Sequence, residues 1–131
     1  MILQSELKKK NLSLIKKNFI EHKNILSKTI NDKKLLSQIS DISNICIDTI
    51  KNNKKIIFLG NGGSASDSMH LTAELVGRFK KNRIGLPAID LVSNSSSITA
   101  IANDYDYKKI FSRQLEAIGT TGDVLFCFTT S

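Results

Sequence analysis

Four consecutive apolar residues, Ile56-Ile57-Phe58-Leu59, run directly into Gly60-Asn61-Gly62-Gly63-Ser64. A short apolar run that stops at a glycine cluster reads as a buried strand feeding a tight turn, and the stretch behind it, residues 65–81, has helical spacing. The pattern then repeats: a strand over 87–92, a helical turn over 95–102, a helix over 108–118 and a strand over 123–129. Strands separated by helices predict right-handed crossovers and a parallel sheet covered on both faces, an α/β fold.

Before residue 55 the periodicity is different. Leu12, Ile15, Phe19 and Leu26 recur at three, four and seven, and Leu35, Ile39, Ile42, Cys46 and Ile50 do the same, so two amphipathic helices precede the sheet. Asn31-Asp32 between them is turn chemistry with an N-cap for the second helix. The apolar stripes fit a helical interface between subunits and fit packing within the chain equally well.

At 131 residues the chain is a single globular domain, able to bury about two thirds of its unfolded surface without disulfides or a structural metal. Its apolar runs fall far short of the ~18 residues of a membrane span, and Met1 to Lys10 places charges where a secretory signal needs its apolar stretch, so a cytoplasmic protein is expected. Cys46 and Cys127 each sit inside an apolar run and read as buried, reduced thiols. The net charge of +7 raises nucleic acid as a partner, but its distribution argues otherwise. Residues 1–55 hold twelve Lys and five acids, whereas residues 56–131 hold seven basic and seven acidic residues. The excess is Lys alone, diluted among Asn and Ile, which reads as a solvated face rather than a phosphate-gripping one. Neither nucleic acid nor membrane is expected as a partner.

In parallel sheets ligands bind beyond the carboxyl ends of the strands, and three clusters fall there. In the first, Asn61, Gly62, Gly63 and Ser64 open a helix whose free N–H groups and partial positive charge suit a phosphate; an ordinary strand-to-helix turn with a Ser cap has the same residues. Gly60-x-Gly62-x-x-Ala65 also fits a dinucleotide fingerprint, but the ribose-binding acid should lie ~20 residues on, and Asp90 is too far along. The second cluster is His70 and Glu74, whose i, i+4 spacing stacks imidazole on carboxylate, as a metal chelate, an acid–base couple or a plain surface pair requires. The third is Asn103-Asp104, with Tyr105 and Tyr107 nearby, together with the hydroxyl run Thr129-Thr130-Ser131 at the end of the last strand.

Taken with Gly77-Arg78-Phe79, Asn82-Arg83, Phe111-Ser112-Arg113, Glu116-Ala117 and Gly122-Asp123-Val124-Leu125, these residues resemble the sugar isomerase (SIS) domain of phosphoheptose isomerases. The resemblance implies a flavodoxin-like three-layer sandwich, incomplete here, with residues 1–54 as a helical extension and 55–131 as the N-terminal part of the SIS domain. It implies an aldose–ketose isomerase interconverting sedoheptulose 7-phosphate and D-glycero-D-manno-heptose 7-phosphate, on the way to bacterial surface polysaccharide. By the same resemblance Asn61, Gly62, Gly63, Asn103 and Asp104 contact the sugar, and Ser64, Thr129, Thr130 and Ser131 hold the phosphate. His70 and Glu74 are implied zinc ligands, Glu74 is also the implied catalytic, substrate-contacting carboxylate, and a homotetramer is implied. Family members continue with a Gly-Asn-Ser loop and a late helix bearing a Gln and a catalytic His. The expectation is therefore that these residues alone bind phosphate and metal poorly and do not turn over substrate. Two rival readings stay open: a non-catalytic SIS module that binds a phosphosugar or adapts proteins, and a nucleotide-binding oxidoreductase.

Overall fold

The computed structural model describes residues 2–130, with side chains from residue 4 onward. Two compact units emerge, Met1–Ile42 and Ser43–Ser131. In the first, α1 (Ile2–Asn31) runs for 30 residues and α2 (Lys33–Lys51) begins. The only break between them is at Asp32, whose Oδ1 accepts the Leu35 N–H at 3.0 Å, the N-cap bond that the Asn31-Asp32 turn predicts. Both helices outrun their apolar stripes because the flanking Lys, Gln and Ser tolerate helix. Leu12, Ile15, Phe19 and Leu26 stand exposed, Phe19 at 71%.

The second unit holds the sheet. Helix α2 ends in a left-handed residue, Asn53 at φ 55°, with the Lys54 N–H reaching back to the Thr49 carbonyl at 3.0 Å and Asn53 N–H to Ile50 at 3.1 Å. That closure satisfies the last carbonyls and turns the chain into β1. The strands β1 (Ile56–Gly60), β2 (Ala88–Asp90) and β3 (Val124–Phe128) form a parallel sheet in the order β2-β1-β3. Ile56 pairs with both Ala88 and Val124, so β1 is central and the most buried. Ile56, Ile57 and Phe58 form the core with Leu91 and Ile110. On one face Phe58 stacks on Phe126 and Phe128, with ring centroids 5.3 and 6.0 Å apart; such offset pairs add about 0.5–1.5 kcal/mol beyond burial.

Helix α3 (Gly63–Val76) packs against all three strands. Gly60 permits the approach, since a Cβ there would sit 2.6 Å from the Ser64 Cβ. The helix stops at Val76, short of the predicted residue 81. The Arg83 guanidinium folds back onto its C-terminal carbonyls, donating to Glu74, Leu75 and Gly77 at 2.8, 2.8 and 3.2 Å. A cation there also opposes the negative end of the helix dipole. Strand β2 is shorter than the predicted 87–92 because Asp90 Oδ1 accepts the N–H groups of Val92 and Ser93 and bends the chain away. The crossover to β3 runs through α4 (Ser95–Asp104), capped by Asn94, a 3-10 turn η1 (Tyr107–Lys109) and α5 (Ser112–Ile118). The predicted 108–118 helix thus divides in two. Gln114 Nε2 ties α5 to the end of β2 through the Leu91 carbonyl at 3.0 Å.

At the amino end of the sheet, the Asp123 carboxylate joins β1 to β3. It accepts from the Lys55 N–H at 2.9 Å, Lys55 Nζ at 2.6 Å, the Thr120 N–H at 2.8 Å and Thr120 Oγ1 at 3.1 Å. Burial alone would raise its pKa, but these hydrogen bonds outweigh burial and hold the carboxyl well below the usual carboxylate range. The thiols differ from expectation: Cys46 is part-buried, and Cys127 is exposed, because β3 is an edge strand whose Leu125 and Cys127 face is open. Burial pushes the Cys46 thiol pKa up, partly offset by a backbone hydrogen bond.

Candidate functional site

In the order β2-β1-β3 the chain leaves β1 toward one edge and returns, over β1, to the other. A crevice opens where the connections part, outside the carboxyl ends of β1 and β3. The crevice is present: a hollow of about 310 Å³ is lined by Leu59, Gly60, Asn61, Ser64, Phe111, Cys127, Phe128, Thr129 and Thr130. Residues from the ends of two strands distant in sequence meet there, and Ser64, Thr129 and Thr130 bring three hydroxyl-bearing residues to the lining beside the glycine loop. A larger hollow of about 490 Å³ lies between α5 and the sheet, lined by Ile57, Leu115, Leu125 and Asp123 among others. Its one buried carboxylate, Asp123, is already saturated by Lys55 and Thr120, so the chemistry favours the smaller hollow.

The loop that rims this hollow is held by its own backbone. Gly62, the N-cap of α3, has φ 58° and ψ −123°, a conformation that only glycine adopts without strain. The N–H groups of Ser64 and Ala65 turn inward to the carbonyls of Asn61 and Gly62 at 3.1 Å each, and that of Ser66 to Gly62 at 3.4 Å. Gly62 and Gly63 are left to supply the backbone donors at the positive end of α3, the arrangement that binds anions. No side chain caps the helix. The alternative of an ordinary turn with a Ser cap is thus not what forms, and the Ser64 hydroxyl is not spent on that task. The Asn61 Oδ1 accepts a hydrogen bond from the Tyr107 hydroxyl at 2.9 Å, across 46 positions of sequence.

The remaining predicted residues are elsewhere. His70 and Glu74 do share a face of α3, with His70 Nε2 3.8 Å from Glu74 Oε1. His70 is 74% exposed and Glu74 32%, and neither lines the hollow. At 1.5 Å per residue Glu74 lies about 16 Å along the helix from Gly63. A zinc site needs about four donors, and among the described residues no group of three or more His, Cys, Asp or Glu converges. The pair has the right donor types and spacing but half the number. Asn103 and Asp104 occupy the exposed last turn of α4, where Asn103 Nδ2 donates to Asp104 Oδ1 at 2.9 Å, and they too stand outside the hollow. Ser131 lies outside the described residues. Asp90, weighed as a ribose-binding acid, spends one carboxylate oxygen on its own turn.

Sequence reasoning missed Tyr107, Phe111 and Cys127 as neighbours of the loop. Cys127 had a signal, since it sits one residue from the end of a strand adjacent to β1; Tyr107 had none beyond its proximity to Asn103-Asp104.

The SIS domain family matches this sequence over residues 18–131. The chain belongs to the SIS domain family. Among its SIS relatives, the phosphoheptose isomerase of Helicobacter pylori (strain P12) is 47% identical over 118 residues, covering 90% of this chain and 60% of the relative. That of a Nitratiruptor species is 48% identical over 120 residues, covering 92% and 63%. The structure of phosphoheptose isomerase GmhA from Neisseria gonorrhoeae superposes with a TM-score of 0.75 at 34% identity, covering 89% of this chain and 61% of that one. A phosphoheptose isomerase structure from Francisella tularensis gives 0.79 at 33% identity, covering 91% and 62%. The chain thus spans about three fifths of the length of these relatives, and it shares their parallel α/β fold.

Proposed function

We propose that the protein serves an aldose–ketose isomerase acting on a heptose phosphate, interconverting sedoheptulose 7-phosphate and D-glycero-D-manno-heptose 7-phosphate for bacterial surface polysaccharide. The observation that carries this reading is the hollow at the switch point of the sheet. Its glycine loop, positive helix end and three hydroxyl side chains suit the phosphate of a small polar ligand, in a chain whose relatives at 47% and 48% identity are named phosphoheptose isomerases.

In this reading Ser64, Thr129, Thr130 and Ser131 hold the phosphate, with the Gly62 and Gly63 amides behind them. Asn61, Gly62, Gly63, Asn103 and Asp104 contact the sugar. Moving the carbonyl from C2 to C1 requires a base that removes a proton from C1. As C1 loses its proton the C2 oxygen takes one up and an enediol forms; an acid then delivers a proton to the C2 carbon while the C1 hydroxyl gives up its own, so two protons leave and two return. Glu74 is the carboxylate assigned to that transfer. Zinc would be held by His70 and Glu74 with further donors that the described residues do not supply. Such an ion would supply Lewis-acid polarisation of the sugar carbonyl. The exposed apolar side chains of α1, Leu12, Ile15, Phe19 and Leu26, support a homo-oligomer, here a tetramer. The cytoplasm is the proposed compartment, which suits the free thiols of Cys46 and Cys127. Among the described residues no helix is long and apolar enough to cross a membrane.

A second reading, a phosphosugar-binding module without catalysis, is favoured by the distance of Glu74 from the hollow. An isomerase assay with sedoheptulose 7-phosphate on a version completed to the full length of the relatives, reading the aldose product by NMR, separates the two, since the 131 residues alone are not expected to turn over substrate. Turnover that falls at least about 100-fold in Glu74→Gln, with heptose phosphate still bound, supports the isomerase. Turnover untouched by that substitution overturns the role of Glu74, and tight binding with no turnover in the wild type supports the module.

A further inference from the structure

We infer that the Tyr107 hydroxyl is a positioning group for the sugar: it holds the Asn61 carboxamide by its oxygen, so that the amide is oriented to offer its N–H donors to the ligand. The inference rests on the heptose phosphate reading above and adds to it a residue and a polarity of recognition.

An asparagine side chain carries an acceptor at one end and two donors at the other. A sugar hydroxyl both donates and accepts. An unrestrained Asn61 on an exposed loop therefore binds a sugar in either of two orientations and gives up rotamer freedom when it does. The 2.9 Å bond from Tyr107 takes one lone pair of Oδ1 and fixes which end of the amide is held. The donor pair at the other end is thereby favoured for a carbonyl or hydroxyl oxygen of the ligand.

The tyrosine is mounted to impose this. Its 3-10 turn is closed from below by Asp106, whose Oδ1 accepts the Lys108 N–H at 2.7 Å and whose carbonyl accepts the Lys109 N–H at 2.9 Å. The turn is pinned behind by Ile110, which is buried in the core and whose N–H returns to the Tyr107 carbonyl at 3.2 Å. Asn61, in contrast, precedes the left-handed Gly62 in a loop whose backbone hydrogen bonds, from Ser64, Ala65 and Ser66, are made without its side chain. The fold does not need the Tyr107–Asn61 bond, because both partners are exposed and their elements are anchored by other contacts. A bond that orients a binding-loop amide while leaving the fold indifferent is a binding device.

The test is calorimetric titration of sedoheptulose 7-phosphate and, separately, inorganic phosphate into wild type, Tyr107→Phe, Asn61→Ala and the double variant, with the melting temperature of each. Tyr107→Phe is expected to weaken heptose phosphate binding about 2- to 10-fold, the worth of one net hydrogen bond. It should leave inorganic phosphate affinity and the melting temperature unchanged, and add no further loss in the Asn61→Ala background. Equal heptose phosphate affinity in wild type and Tyr107→Phe overturns the inference. So does an undiminished loss in the Asn61→Ala background, or a parallel loss for inorganic phosphate. A wild type that takes inorganic phosphate but no heptose phosphate overturns the functional reading instead. Side-chain ¹⁵N relaxation of Asn61 then judges the tether alone, since Tyr107→Phe must release the amide, and an unchanged amide refutes the positioning.

Discussion

Replacing Asp123 by asparagine keeps the shape of the side chain and removes its charge. The asparagine Oδ1 still accepts from the Lys55 N–H, but an NH₂ group now stands where Oδ2 met Lys55 Nζ, the Thr120 N–H and the Thr120 hydroxyl. Three donors then face a fourth. Removing one partner of a buried ion pair costs about 3–5 kcal/mol. Here Asp123 is 6% exposed but Lys55 is 27%, so the ammonium recovers part of its hydration. Losing the acceptor for the Thr120 amide adds about 1 kcal/mol or more. The expected loss is about 2–4 kcal/mol, read from urea unfolding at pH 7 as a lower midpoint at constant slope. The pH dependence checks the cause. A carboxyl whose folded pKa is depressed contributes stability that is complete above the unfolded value of about 3.9 and is lost as pH falls through and below it. The gap between wild type and Asp123→Asn should therefore be constant from about pH 7 to 5 and narrow below about pH 4. A loss under about 1 kcal/mol, or a gap that widens in acid, refutes the reasoning.

Two further predictions concern packing and assembly. Gly60→Ala forces a Cβ to within 2.6 Å of the Ser64 Cβ and 2.8 Å of the Ser64 carbonyl oxygen, so β1 and α3 must part; thermal unfolding should show a loss of about 1–3 kcal/mol together with weaker phosphate binding. Phe19→Glu removes a side chain that the described chain leaves 71% exposed, so circular dichroism should show an unchanged helix content while light scattering shows a smaller particle than the wild type; an unchanged mass counts against assembly through α1.

The sequence reading reached the element types and their order because each strand is an unbroken apolar run stopped by Gly, Asp or Thr, and each helix has its own spacing. It misjudged ends where a distant group decides them. Helix α3 stops at Gly77, a terminator visible in the sequence, yet the guanidinium that caps it comes from Arg83, and only the folded loop brings it back. The Asp123 clasp was likewise unreadable, since its partner Lys55 lies 68 positions away and meets it only when β1 and β3 pair. Of the candidate site, Asn61, Ser64, Thr129 and Thr130 were legible from the rule that ligands sit beyond strand ends, and the hollow gathers all four. His70 and Glu74 were legible as a pair from helical spacing; their separation from the hollow was not, because spacing along one helix says nothing about where a pocket opens. The exposure of Cys127 depends on what covers an edge strand, which no local pattern records.

The strand order also sets when the hollow can exist. Its two halves belong to β1 and β3, which the whole β2–α4–α5 excursion separates in sequence, so the pocket exists only while that long-range pairing is made. Any anion that settles there selects chains whose edge strand is docked and shifts the opening equilibrium of β3 by mass action. Occupancy thereby becomes a latch on one edge of the sheet, and hydrogen exchange along Val124–Phe128 should slow in proportion to how tightly the pocket is filled.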